Sequence, residues 1–355
     1  MRMGCRVLGG LLAVSGLLVG ACGGGAVAAD AGPAPAPAAG FPVRIENCGA
    51  ALDVPALPTK VVTSNASGLE MLLWLGAQDR VLGTGFPPAP GALPPELADA
   101  GAAVPVLGTA IIPKETLLGS GADTFITTFS SMGSMGGAAG QVPTAEEYAA
   151  AGIEEVFLQS TSCPPRGGPV EDLSVEGDDI RRLGTLTGTS AKADELVAGM
   201  EATVDEVQAA IGPVPMEQRP SYFFFDVGPT PGDPMATCNQ QVAHAAITLA
   251  GARNVFSDCA GTFRQTSWEE VVARDPDWIQ LGVRNRGSVE ANEAGFAEGV
   301  RFLKEFPATA GLAAVQQDRF LRIPSEVTTI AGVRNADTVR RIAATLYPDR
   351  LRAEQ

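Results

Sequence analysis

The most restrictive feature of this chain lies between residues 190 and 213. Ser190 is placed to cap a helix from Ala191 to Ile211, in which Leu196, Met200, Val204, Val207 and Ile211 recur at i+3/i+4 spacing along one stripe. Lys192, Asp194, Glu195, Glu201, Asp205 and Glu206 occupy the other face, and Gly212-Pro213 stops the helix. At 1.5 Å per residue it is about 30 Å long. A half-exposed strut of that length predicts two lobes, residues 43–188 and 214–350, joined through residues 189–213.

Both flanks read the same way. From Lys60, KVVTSN is a short β-branched run, followed by a Ser/Gly turn, the helical spacing of LEMLLWLG and a second strand start at Arg80-Val81-Leu82-Gly83. Val104–Leu107, Thr124–Thr127 and Glu155–Leu158 are further strand candidates. The second half opens with the buried-strand run Ser221–Asp226, a Gly/Pro-rich loop, a helix over Val242–Ala250 and a strand start in Gly251–Phe256. The predicted fold class is α/β: two lobes with mainly parallel sheets flanked by helices, joined by one long connecting α-helix. A faint repeat supports two related lobes. Glu115 is followed eight residues later by Asp123 and a strand, and Glu269 eight later by Asp277 and a strand.

Composition narrows the function. The formal charge of −15 makes a polyanionic partner such as nucleic acid a poor match. The one histidine, His244, leaves no imidazole for a His-rich zinc centre or a Ser-His-Asp triad built elsewhere. It sits in a helix near a loop, where a core role outweighs that of an axial haem ligand. Trp74, within MLLWLG, reads as core. Met132 and Met135, in SSMGSMGG, read as a loop on the rim of a cleft. No metal site and no resident cofactor are expected, and the chain is expected to act as a monomer without catalysis.

Residues 1–21 read as an export signal. Arg2 and Arg6 precede an uncharged run, Val7–Val19, too short to span a bilayer comfortably. It ends in Val19-Gly20-Ala21-Cys22, which resembles the lipobox of bacterial lipoproteins and makes Cys22 the lipidated N-terminus, at the outer face of the cytoplasmic membrane. The competing reading is ordinary cleavage near Ala26-Val27-Ala28. Residues 22–42, rich in Gly, Ala and Pro, form a tether able to reach about 60 Å in extended form. Export also permits disulfides. Cys48, Cys163, Cys238 and Cys259 allow three connectivities, and one bridge within each half is the simplest.

An export signal with a lipidation site, a tether, two α/β lobes and a single connecting helix together resemble the bacterial ABC-transporter substrate-binding proteins of the helical-backbone type, which serve ferric siderophores, haem and cobalamin. The blocks VVTSNASGLEMLLWLGAQDRVLGTG, AAAGIEEVFLQSTSCPP with DDIRRLGTLTG, TSWEEVVARDPDWIQLG and TTIAGVRNADTVRRIA are similar to those of that family, most of all to its ferric-siderophore branch, from about Pro42 to Pro348. The resemblance implies capture of a ferric siderophore between the lobes and delivery to an ABC permease, with cobalamin or haem as the alternative cargo. It also implies that Glu115 and Glu269 pair with permease arginines; Glu270, adjacent, is the competing docking residue.

Loops at the strand ends should line the cleft. Ser64, Asn65, Ala66, Thr128, Phe129 and Ser130 are the candidates in the first lobe, and Asp226, Arg284, Arg286 and Arg334 those in the second. The arginines suit an anionic ferric chelate, with structural ion pairing as the competing explanation. An extracytoplasmic enzyme working through Asp/Glu chemistry, or a ligandless lipoprotein, is the remaining alternative.

Overall fold

Short β-branched and aromatic runs become strands here because helices bury them on both faces, as the alternation of their side chains between two cores shows. The computed structural model describes residues 40–129, 141–163, 167–228, 232 and 234–351. The signal segment, Cys22, most of the tether, Ser130, Met132 and Met135 lie outside the described residues. None of the described helices is long and apolar enough to cross a membrane.

A hairpin comes first, with Val43–Asn47 (β1) antiparallel to Ala50–Val54 (β2). Cys48 and Gly49 make its turn, both at positive φ. The first lobe then runs Val61–Thr63 (β3), Ala66–Trp74 (α1), Val81–Thr84 (β4), Pro95–Ala102 (α2), Lys114–Leu118 (α3), Thr124–Thr127 (β5), Ala145–Ala151 (α4) and Glu154–Phe157 (β6). The four strands are parallel in the order β4-β3-β5-β6. Val61 faces a core with Met71, Leu72 and Ile126, and Val62 the opposite core with Phe125 and Tyr148.

Two helices close this lobe, Gln159–Ser162 (α5) and Ser174–Thr187 (α6), before the long helix Ser190–Ile211 (α7). The expected strut is present and begins one residue earlier than its sequence reading: Ser190 is helical, and Thr189 occupies the cap without a side-chain hydrogen bond to the helix. Ala193, Val197 and Met200 enter the first lobe's core, whereas Val207 and Ile211 enter the second's. A Cβ on Gly184 of α6 would meet the Ala193 Cβ at 2.5 Å, so glycine sets the close approach of α6 and α7.

The second lobe comprises Ser221–Val227 (β7), Met235–Thr237 (β8), Val242–Leu249 (α8), Arg253–Asn254 (β9), Phe263–Gln265 (β10), Trp268–Arg274 (α9), Trp278–Val283 (β11), Val289–Glu305 (α10), Ala313–Gln316 (α11), Phe320–Arg322 (β12), Glu326–Thr329 (α12), Asn335–Leu346 (α13) and Pro348–Leu351 (α14). Its parallel sheet is ordered β12-β11-β7-β9, with β8 and β10 forming a separate antiparallel pair. Read from the other edge this is the strand order of the first lobe.

The sequence repeat is therefore structural. Asp123 Oδ2 accepts hydrogen bonds from the Thr59 and Lys60 amides, at 2.8 and 3.0 Å, at the entry to β3. Asp277 Oδ2 accepts from the Ser221 amide and hydroxyl, both at 2.7 Å, at the entry to β7. Each aspartate stands just before the third strand of its lobe and fixes the start of the first.

Val104–Leu107 corrects the sequence reading. Only Val106 makes an isolated bridge, to Thr84, and it is half exposed. Pro105 has no amide proton for a ladder, so pairing does not extend. Two disulfides, Cys48–Cys163 and Cys238–Cys259, give the one-per-half arrangement.

Candidate functional site

In a parallel sheet every strand delivers its following loop to the same edge, and in both lobes these loops surround one cleft. Its volume is about 490 Å³, inside the range of roughly 300–1,000 Å³ typical of small-molecule sites. The first lobe contributes the turn after β3, the Gly/Pro-rich loop after β4 and Phe129 after β5. From the second come Arg284 and Asn285 after β11, Phe296 of α10, and residues 330–335 leading into α13.

Asn65 organises the first wall. Its Oδ1 caps α1 by accepting from the amides of Ser67 at 3.0 Å and Gly68 at 3.3 Å, and takes a third hydrogen bond from the Thr128 hydroxyl at 2.9 Å. Ser64 Oγ accepts from the Thr128 amide at 3.0 Å. Ala66 and Phe129 join Asn65 on the cleft surface, whereas Ser64 and Thr128 stand behind it as framework. Their polar atoms are spent on holding the β3 and β5 loops together.

The arginines correct a sequence-based expectation. Arg334 lines the cleft, but its Nε and Nη2 each donate at 2.6 Å to the two carboxylate oxygens of Glu70. Glu70 also accepts from the Trp74 indole at 3.2 Å, so Trp74 is half-buried with a polar task and is not plain core. Arg284 lines the cleft with an exposed side chain and pairs with Asp226 at 3.2 Å. Asp226 is itself off the cleft surface, tied to the Ser325 hydroxyl at 2.5 Å. Arg286 does not reach the cleft: it lies against Gly295, where a Cβ would come within 2.9 Å of its guanidinium, and pairs with Glu298 at 2.6 Å.

Glu70, Arg284, Glu326 and Arg334 are the charged side chains on the cleft wall among the described residues. Two acids balance two bases, so the basic patch expected for an anionic chelate is absent from these residues. Sequence reasoning missed Glu70 and Glu326, together with Phe86 and Phe296. Phe86 had a signal, an aromatic in GFPPAPG directly after a strand of a parallel sheet. Phe296 sits in mid-helix, with no marker to separate it from a core residue.

His244 is buried in α8 away from the cleft, its Nδ1 3.2 Å from the Asn254 amide nitrogen, and burial lowers its pKa. Glu115 and Glu269 are exposed in the first turns of α3 and α9, the helices that precede β5 and β11. The two glutamates thus occupy equivalent helix starts, one in each lobe, and neither lines the cleft itself. The Glu269 carboxylate is held below its usual range by its own backbone amide and the Ser267 hydroxyl. Glu270 is committed instead. Arg264, Thr266 and Arg274 bind it and lower its pKa to about 2.

Two matched lobes on a helical strut, with a shared cleft at their strand ends, define a two-lobed solute-binding protein. The model of the family described as periplasmic binding protein matches residues 61–327, and the chain belongs to that family, whose members are substrate-binding transport proteins and not enzymes. A curated relative, described as the uncharacterized ABC transporter substrate-binding lipoprotein YvrC of Bacillus subtilis, is 22% identical over 310 residues, covering 87% of each chain. Among solved structures, a periplasmic binding protein from Veillonella parvula shares the fold with a TM-score of 0.72 at 24% identity, covering 86% of this chain and 97% of its own. One described as an ABC-type Fe3+-hydroxamate transport system from Saccharomonospora viridis has a TM-score of 0.68 at 24% identity, covering 86% and 99%.

Proposed function

We propose that this chain is the lipid-anchored, extracytoplasmic binding component of an ABC importer, holding a ferric siderophore of neutral or positive net charge between its lobes and handing it to the permease. The observation that carries the reading is the cleft of about 490 Å³ walled by equivalent loops of both lobes. Its charge balance favours a chelate that brings no large negative charge, as each arginine on the wall already has a carboxylate. The hydroxamate description of the Saccharomonospora viridis relative and the lipoprotein description of YvrC support the cargo class and the anchor. Cys22 carries the lipid, and Glu115 and Glu269 meet the permease. On this reading the cargo brings its own iron ligands, since the Glu70 carboxylate on the wall is engaged by Arg334 and Glu326 accepts from the Asn285 amide.

Trp74 reports on the cleft through Glu70. Titrating the protein without its signal segment against ferric hydroxamate, catecholate and carboxylate siderophores, haem and cobalamin should show quenching by a neutral or cationic ferric hydroxamate and not by its iron-free form. Tight binding of haem, cobalamin or an anionic catecholate alone would replace that cargo.

A further inference from the structure

Behind Phe129 the first lobe holds a second, smaller pocket of about 70 Å³. It shares Asn65, Phe86 and Phe129 with the main cleft, so the two spaces adjoin. Ile112, Leu117 and Phe125 make its apolar walls. Five polar residues line it as well: Ser64, Asn65 and Thr127 are hydrogen-bonded within the wall, and Glu155 and Tyr148 are the other two. Glu155 on β6 accepts a single side-chain hydrogen bond, from the Thr127 hydroxyl at 2.8 Å, and no Lys or Arg pairs with it among the described residues. Tyr148 on α4 is 2% exposed and stacks on Phe125 with centroids 5.8 Å apart, yet its hydroxyl has no hydrogen-bond partner among the described residues.

We propose that this inner pocket is a subsite for a primary ammonium group on a short alkyl arm of the cargo, received by the Glu155 carboxylate and the Tyr148 hydroxyl. The inference rests on the solute-binding reading above. A carboxylate among apolar walls with no counter-charge is an incomplete arrangement, and an ammonium completes it. An anion would be repelled there, and a neutral hydroxyl would leave the charge unpaired. Ammonium carries donors only, matching one carboxylate and one phenolic oxygen as acceptors. Aromatic walls add attraction for a cation. The space suits an aminoalkyl tail and excludes an iron chelate, which stays in the main cleft. Burial pushes up the Glu155 carboxyl, and burial followed by the nearby Glu155 charge pushes up the Tyr148 hydroxyl, shifts that a positive charge between them would offset.

The chain has three tyrosines, Tyr148, Tyr222 and Tyr347, so 3-fluorotyrosine labelling gives a short 19F spectrum. Propylammonium should move the Tyr148 resonance saturably, propanol should not, and Glu155→Gln should abolish the shift. In parallel, a linear ferric trihydroxamate with a free terminal amine should bind at least about tenfold tighter than its N-acetylated form, the scale of one charge-assisted hydrogen bond. Glu155→Gln should bring the amine form down to the N-acetyl level. If that variant does not fold, Tyr148→Phe should still narrow the preference. No shift, a shift that propanol reproduces, or one that survives Glu155→Gln overturns the subsite and leaves a pocket for water. An ammonium-specific shift with neither chelate bound overturns the siderophore reading and leaves the subsite standing; equal binding of both chelates does the reverse.

Discussion

Glu70 and Arg334, 264 residues apart, join the two lobes through a two-pronged ion pair with both N···O distances at 2.6 Å. The Ser67 hydroxyl donates to the Ala331 carbonyl at 2.9 Å beside it, and Ala331 and Ala336 pack into the first lobe's core. The lobes are thus tied through α7, through the segment entering α13, and through the Val170 amide, which donates to the Asn239 carbonyl at 2.7 Å. The side chains that tie the lobes therefore also form part of the cleft wall.

Breaking this pair from either side strands a partly buried charge. Glu70→Gln and Arg334→Met should each cost about 2 kcal/mol in urea unfolding. The double variant should lose clearly less than the sum, and small-angle scattering should show a wider lobe separation in all three. Strictly additive losses with unchanged scattering would mean the pair does not couple the lobes.

The two disulfides constrain unfolded loops of different length, with sequence separations of 115 and 21. On the chain-entropy account, removing Cys48–Cys163 should cost about 1.5 kcal/mol more than removing Cys238–Cys259. Denaturation of the paired Cys→Ala variants checks this. Equal losses would show that the hairpin holds the β6 edge without its bridge, through the Asn47 bonds to Glu155 and Phe157.

The sheets and the strut were legible because their signals are local. Apolar periodicity located α7 to within a residue, and the Glu-to-Asp spacing marked a true repeat. The strand-end rule likewise found Asn65, Ala66, Phe129, Arg284 and Arg334 on the cleft. What stayed hidden depends on contacts between distant segments. An arginine in a loop looks the same whether it awaits a ligand or meets Glu70 from the far end of the chain. Pro105 was visible in the sequence, but its effect on Val104–Leu107 depends on which neighbour the segment meets.

Glu176, in the first turn of α6, is 2% exposed and has one carboxyl oxygen without a partner among the described residues. Burial, ahead of repulsion from Asp179, Asp172 and Asp178, raises its pKa to about 8. The folded protein then holds a proton that the unfolded chain releases near 4.5, so stability is fullest below that value and falls as pH rises toward about 8. The slope reaches at most about 1.4 kcal/mol per pH unit for this proton. Glu176→Gln should flatten the decline and stabilise the protein at neutral pH, by denaturation across that range. An unchanged slope would assign the dependence to Asp179, whose carboxyl burial also raises.

Glu115 and Glu269 sit at equivalent places in the two lobes, exposed and free of ion pairs among the described residues, whereas Glu270 is clamped by Arg264 and Arg274. On the proposed docking role, two carboxylates carried on separate lobes would reach a rigid partner together only at one lobe spacing, the loaded one. Glu115→Lys with Glu269→Lys should abolish iron-chelate uptake by cells while leaving cargo affinity and melting temperature close to wild type. Glu270→Lys should lower the melting temperature instead, because it sets three cations against one another where a carboxylate had joined two. If the double reversal spares uptake, docking lies elsewhere on the rims; if it destroys cargo binding, these glutamates belong to the cleft.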